Sequence, residues 1–366
     1  RPLIAALRSR FPDHQLLVST TTETGQGVAQ GVAGVDISLY FPFDYRFAVR
    51  RALSLVNPAV VIIVETELWP NFLAEARRQG VPVVLANGRI SDRSFPRYLR
   101  FRWFFRSVLA NFSALCAQSD EDAQRLIAMG APAERVMVAR NLKYDLPVSL
   151  TTADERRSMR QRHGLPLDTP LLVAASTHAG EEELVAELYG QLQGEFPLSL
   201  VLVPRHPERA TAVAEMLRQH SLQVTLLSQQ HEGSGALPIG QILLVDRVGL
   251  LMEFYAAADL AFVGGSLVPV GGHNLLEPAS LGLPVLFGPH MSNFREISAL
   301  ILGANAGVQV ADLQELLAAC RRLLRDPHSA QEMGRRGAAI LSANSGATQK
   351  HLAVIEQAMS LAHPPA

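Results

Sequence analysis

Several residue clusters in this chain have the types and spacing that chemistry at an anionic centre needs. The apolar run Val60-Val61-Ile62-Ile63-Val64 ends in Glu65-Thr66-Glu67-Leu68-Trp69-Pro70-Asn71, so two carboxylates stand where a strand emerges. Burial would raise such a carboxylate toward a base, and a nearby cation would keep it charged. Glu65, nearest the strand end, is the candidate, its other reading being a structural strand-end residue. Glu67, ahead of Pro70, reads equally as an acidic residue at a helix N-terminus. Lys143, in Asn141-Leu142-Lys143-Tyr144-Asp145, is either a cation that neutralises a phosphate or carboxylate leaving group or a solvated linker lysine.

The second half of the chain carries anion and nucleotide signals. Ser176-Thr177-His178-Ala179-Gly180-Glu181 offers hydroxyls and helix N-terminal N–H groups to an anion, and its acidic residues also suit the helix dipole. Val203-Pro204-Arg205-His206-Pro207 holds an arginine between prolines, a rigid phosphate or base contact. Phe262-Val263-Gly264-Gly265-Ser266 and Gly271-Gly272-His273-Asn274-Leu275-Leu276-Glu277-Pro278 let backbone approach a ligand closely, with Glu277 placed to accept from ribose hydroxyls. Asn274 and Glu277 are also a helix-capping pattern. Neither G-x-G-x-x-G nor a P-loop is present, so the pattern predicts a nucleotide rather than a dinucleotide or a hydrolysed triphosphate.

The elements that must position these loops are legible as short apolar runs. In the first part they cover residues 16–19, 35–39, 60–64, 83–86, 114–117 and 136–138; after a turn-rich, charged interruption over 145–170 they resume at 171–175, 198–203, 224–227, 242–245, 260–263, 284–287 and 308–310. Strands alternating with helical patterns predict parallel sheets with crossover helices. The expected organisation is α/β, two similar domains over residues 1–147 and 148–366, with ligands beyond the carboxyl ends of the strands. A length of 366 residues fits two domains, and 48% hydrophobic against 18% charged residues excludes a disordered chain. With 33 basic against 34 acidic residues the net charge is −1, which offers no bulk signal for nucleic acid. Cys116 and Cys320 lie far apart in apolar company, as buried, reduced thiols of a cytosolic protein do. No apolar run is long enough to span a bilayer. Leu3, Ile4 and Leu7 at helical spacing suggest that the sequence opens inside an amphipathic helix, with earlier segments missing.

Residues 89–106 carry six arginines against one aspartate, interleaved with Phe95, Tyr98, Phe101, Trp103, Phe104 and Phe105. Arg93, Arg97, Arg100 and Arg102 beside aromatics suit a lipid headgroup surface or an anionic amphiphile. The competing reading is an amphipathic helix with its aromatics in the core; single-stranded nucleic acid is weaker, for want of a continuous basic groove.

In order, the motifs ETELWPN, NLKYD, STHAGEE, VPRHPER, FVGGSL, GGHNLLEP and FGPHMSNFREI together resemble the bacterial Kdo (3-deoxy-D-manno-octulosonic acid) transferases, inverting glycosyltransferases of the GT-B fold. The resemblance covers nearly the whole chain. It implies two Rossmann-like domains facing a cleft, an N-terminal acceptor domain and a C-terminal donor domain. It further implies transfer of Kdo from CMP-Kdo to a lipid A precursor, an acylated and phosphorylated disaccharide, at the cytoplasmic face of the inner membrane, with no cofactor, no bound metal and no nucleic-acid partner. By motif, Glu65 and Lys143 match the family's transition-state pair. Pro204, Arg205 and Asn274, Leu275, Leu276 and Glu277 match its CMP site, with Ser176, Thr177 and His178 as a donor anion loop. Val248, Gly249 and Leu250 align with a CMP-contacting Met-Gly-Glu stretch; Leu250 replaces the Glu, so only backbone contacts carry over. The family's general base, a Glu in Ser-Val-Gly-Glu, and its membrane-anchoring helix would precede Arg1, so the expectation is a chain that binds substrates but transfers slowly or not at all. The alternatives are a nucleotide-sugar epimerase or hydrolase of the same fold, or a non-catalytic nucleotide or lipid binding module.

Overall fold

A computed structural model describes residues 2–230 and 236–362. Thirteen strands are present among them, each within about two residues of the predicted position. The helix expected at the start runs Pro2–Arg10, Arg1 lying outside the described residues. By its contacts the chain forms two compact units, one holding the residues up to Asp145 together with those from Asn344, the other Leu146–Ala343.

In unit one, β1 (Leu17–Thr20) and β2 (Ile37–Tyr40) form a parallel pair, and β3 (Val61–Val64), β4 (Val83–Gly88), β5 (Ala114–Ala117) and β6 (Val136–Val138) form a second parallel sheet in that order. Every residue of β4 is buried, as expected of a strand covered on both faces. Val83, Leu85 and Leu115 pack on one side with Leu73, Leu109 and Phe112. Val84, Ala86 and Cys116 face the other side, where Leu3 of the first helix and Val354, Ile355 and Ala358 of the last helix, Ala347–Ala362, cover them.

That last helix corrects the predicted boundary, which assigned everything after residue 147 to the second domain. Its apolar stripe is needed by the open face of the first sheet, and a helical stripe does not say in sequence which sheet it will cover. Polar contacts fix its start. The Asp145 carboxylate accepts from the N–H groups of Gly346 (2.7 Å), Ala347 (3.2 Å) and Thr348. His351, fully buried, accepts at Nε2 from the Asn87 N–H (2.9 Å), leaving Nδ1–H to donate to the Ala347 carbonyl (2.7 Å).

Unit two is built on a seven-stranded parallel sheet: β7 (Leu171–Thr177), β8 (Ser199–Pro204), β9 (Gln223–Leu226), β10 (Gln241–Leu244), β11 (Leu260–Val263), β12 (Val285–Phe287) and β13 (Gly307–Gln309). The spatial order is β13-β12-β11-β7-β8-β10-β9. The chain leaves β7 toward β8 and later returns to place β11 on the other side of β7, so β7 and β11 flank the switch point beyond which such sheets bind ligands. Leu172 and Ala174 pack into one core layer and Leu171, Val173 and Ala175 into the other, the period-two alternation of a strand with helices on both faces.

Both cysteines are buried free thiols, and burial pushes each up to about 12. Among the described residues no helix is long and apolar enough to cross a membrane.

Replacing Asp145 by Ala removes the acceptor for three backbone N–H groups at the start of the last helix and should destabilise unit one by about 1–2 kcal/mol. Denaturant unfolding checks this; an unchanged midpoint would mean that the cap does not hold the helix.

Candidate functional site

The predicted donor residues of unit two all lie beyond the carboxyl ends of four neighbouring strands, β11, β7, β8 and β10. Ser176 and Thr177 end β7, with Ser176 in the left-handed region (φ 55°) at an irregularity in its pairing with β8. Pro204 ends β8, and the Arg205 N–H donates to the Thr177 carbonyl (3.0 Å). Val248, Gly249 and Leu250 follow β10 and lead into the helix Leu251–Ala257. Residues 264–277 follow β11.

Glu181 ties these loops together. It is fully buried at the first turn of the helix Glu181–Leu192. Its Oε2 accepts from the N–H of His178 (3.0 Å) and of Gly265 (2.6 Å), and its Oε1 from those of Ser266 and Leu267 (2.9 Å each). A buried carboxylate is tolerated only with such compensation, and charge-assisted bonds to backbone N–H are among the strongest available. Gly264 N–H donates to Ala175 (2.8 Å), and a Cβ on Gly264 would stand 2.7 Å from the Ser176 carbonyl oxygen, so the first glycine exists for close packing of the two loops. The backbone N–H groups that sequence reasoning offered to an anion, at His178 and in the 264–266 glycine turn, are therefore consumed inside the protein.

Side-chain nitrogens gather beside them. His178 and His273 meet edge to edge, their ring planes 4° from parallel, their centroids 5.1 Å and their Nε2 atoms 2.8 Å apart. His206 meets His178 edge-on at 5.7 Å between centroids. Gly265 makes the room: at φ 65°, its Cβ would lie 2.9 Å from His273 Cδ2 and 3.0 Å from Nε2. Burial, then the neighbouring His178, Arg205 and His206, lowers His273 to about 4; burial also lowers His178. Glu182, buried beside them, forms a two-pronged pair with Arg209 (2.8 and 3.2 Å).

Asn274 Oδ1 accepts from Leu276 N–H (3.1 Å) and its Nδ2 donates to Glu277 (3.3 Å), which orients Glu277; the helix Leu276–Ser280 has Leu275 at its N-cap position and no side-chain cap, so the expected capping box does not form. Leu275 and Leu276 are buried, leaving Asn274 and Glu277 as the half-exposed polar members of the motif. A hollow of about 410 Å³ adjoins the turn at Gly271 and is lined by His290, Ser292 and Arg295 after β12.

In unit one, Glu65 follows β3 in the left-handed region (φ 61°) with its side chain exposed, its N–H held by the Ala86 carbonyl (2.8 Å). Backbone held in that region by a non-glycine residue is strained and marks special positions. Glu67 is exposed; the helix Pro70–Arg78 is capped instead by Asp44, which accepts from the N–H groups of Asn71 (3.1 Å) and Phe72 (2.8 Å). Lys143 is exposed on a short turn anchored by Asn87 Oδ1, which accepts from Leu142 N–H (2.9 Å), and by Asn141, which accepts from the Lys143 N–H (2.9 Å) and donates to Gln118 (3.0 Å). Glu65 and Lys143 thus stand at the same end of one sheet, the Glu65 N–H held by Ala86 of β4 and the Lys143 turn held by Asn87 of the same strand.

The arginine and aromatic stretch divides between its two readings. Phe95, Tyr98 and Phe105 pack on the core, while Phe101, Phe104 and Trp103 (76% exposed) face outward with Arg93, Arg97, Arg100 and Arg102.

A family model described as 3-deoxy-D-manno-octulosonic-acid transferase (kdotransferase) matches residues 1–146. The 3-deoxy-D-manno-octulosonic acid transferase of Haemophilus influenzae is 34% identical over 97% of this chain and 83% of its own length. That of Bordetella pertussis is likewise 34% identical, with 97% and 83% covered. The chain belongs to the Kdo transferase family. Among solved structures, UDP-GlcNAc 2-epimerase from Neisseria meningitidis bound to UDP-GlcNAc is similar with a TM-score of 0.60 over 97% of this chain and 95% of that one, at 15% identity, which shows the GT-B fold alone.

As a Kdo transferase the protein is a glycosyltransferase, and the epimerase and hydrolase readings are set aside. Sequence reasoning missed three things about this transferase. It assigned Glu181 to the helix dipole, because a carboxylate that clamps a loop 84 positions away leaves no local signal. It quoted His273 and His206 within motifs without pairing His273 to His178, a contact that only the adjacency of β7 and β11 creates. It passed over Phe43, Tyr45 and Phe47, whose alternation with Asp44 and Arg46 was a readable sign; Phe43 is 82% and Phe47 77% exposed.

Glu181→Ala should cost at least about 3 kcal/mol, since four buried N–H groups lose their acceptor; a variant as stable as the parent in urea would disprove the clamp. The histidines set a pH dependence. His273 titrates at 6.5 ordinarily and at about 4 in the fold, so the unfolded chain binds the proton first, and this contribution is complete above 6.5 and lost as pH falls toward 4. Thermal stability should decline over that window, and His273→Asn should flatten the decline.

Proposed function

We propose that the protein transfers Kdo from CMP-Kdo to a lipid A precursor with inversion, unit two holding the donor and unit one the acceptor, at the cytoplasmic face of the inner membrane. The observation that carries the donor half is the convergence of Arg205, His178, His273, Asn274 and Glu277 at the carboxyl ends of adjacent strands. Arg205, an exposed, rigidly based guanidinium, meets the phosphate; Glu277, steered by Asn274, accepts from the ribose hydroxyls; the exposed loop 248–250 approaches the nucleotide through its backbone. An acceptor hydroxyl that loses its proton to a carboxylate base attacks the anomeric carbon, the bond to the phosphate oxygen breaks, and CMP departs from the opposite face. Glu65 and Lys143 stabilise the charges that develop, and cationic side chains rather than a bound metal meet the charge of the leaving phosphate. The exposed aromatic and arginine surface of unit one suits acyl chains and phosphates of the acceptor and the membrane around it.

Calorimetry tests the donor half. CMP should bind, Arg205→Ala should weaken it by about tenfold or more, and EDTA should leave the affinity unchanged. Tighter binding of UDP than of CMP, or full affinity in the arginine variant, would contradict the assignment. For the acceptor half, reversing Arg97 and Arg100 to Glu should reduce sedimentation with anionic vesicles while sparing CMP affinity; equal loss of both would point to misfolding.

A further inference from the structure

Two neutral imidazoles can place their Nε2 atoms 2.8 Å apart only if one carries the hydrogen and the other accepts it. The facing nitrogens of His178 and His273 therefore share one proton, and further protonation of the pair must occur at the far nitrogen of the ring that donates. The charges around the pair determine whether that happens. From the β7 side, the Glu181 carboxylate is hydrogen-bonded to four backbone N–H groups and keeps its charge, while Glu182 is paired with Arg209. From the β8 side, Arg205 and His206 face the rings, His206 itself lying 3.3 Å from Glu208. Neutral N–H groups do not cancel the Glu181 charge, but burial together with Arg205, His206 and Arg209 outweighs it and keeps the pair neutral. An oxyanion that settles on Arg205 reverses that balance and makes an imidazolium favourable.

We propose that the hydrogen-bonded His178–His273 pair is a proton-linked oxyanion site that takes up a proton from solvent as the donor's phosphate binds, so that the pair bonds the phosphate as a cation beside Arg205. The inference rests on the reading of unit two as a nucleotide-sugar donor site. Proton uptake makes donor affinity rise with acidity and supplies an acid next to the leaving phosphate. Glycine at 265 suits the pair, because a Cβ there would press on the His273 ring at 2.9–3.0 Å.

Cytidine 5′-methylphosphate is the appropriate probe, since its phosphodiester does not ionise near neutral pH. Its binding to the full chain is measured by calorimetry in buffers of different ionisation heat, with cytidine as the phosphate-free control. Expected are net uptake of about half a proton or more near pH 7, and affinity that falls between about pH 6 and 8 with a slope of up to about tenfold per unit. Cytidine should show neither. His273→Gln and His178→Gln should each abolish the uptake and flatten the pH profile, while His206→Gln retains both. Binding of the phosphodiester without proton uptake, or the same uptake with cytidine, overturns the inference even though the donor reading stands. No binding of any cytidine compound removes the donor reading and the inference with it. Because the parent protein alone yields the decisive number, poor folding of a variant does not spare the proposal.

Discussion

A single buried carboxylate determines what unit two can do. Glu181 sits where β7 and β11 diverge and gathers N–H groups from both of the loops that follow them. In many open α/β sheets those N–H groups bind the ligand's phosphate directly. Here an internal anion occupies them and holds the two loops to each other, and the polar groups displayed above are side chains: Arg205 and the two hydrogen-bonded histidines. Preorganisation of this kind lowers the ordering cost of binding.

Unit one uses the same device with different groups. Asn87 at the end of β4 lies in the left-handed region (φ 57°), its N–H donating to His351 and its side-chain oxygen accepting from Leu142 N–H. It therefore couples the last helix of the chain to the turn that carries Lys143, and Asp145 closes the same circuit from the other side. The return of the chain's end to the first unit is thus part of the support beneath a candidate catalytic lysine, as well as cover for a sheet face.

The strands were legible because parallel strands buried on both faces read as short apolar runs, and all of the donor residues carried over by motif fall on the predicted side of the sheet. Three kinds of feature were not. The destination of the last helix depends on which apolar face is left open, and Val354, Ile355 and Ala358 would suit either sheet. The clamp by Glu181 and the pairing of His178 with His273 join residues far apart in sequence, and local spacing says nothing of strand order. The division of the arginine stretch into packed Tyr98 and Phe105 and exposed Trp103 follows from two short helices meeting at Phe101, where the helical phase resets.

The central claim is that an oxyanion is held by side chains above a backbone already satisfied by Glu181. A crystal structure with cytidine 5′-monophosphate tests it most directly. The account predicts the phosphate beyond the carboxyl ends of β7 and β8, bonded to Arg205 and a histidine of the His178–His273 pair, with Glu181 still holding its four N–H groups. A phosphate that displaces Glu181 and takes those N–H groups itself, or a nucleotide seated away from these loops, would contradict it.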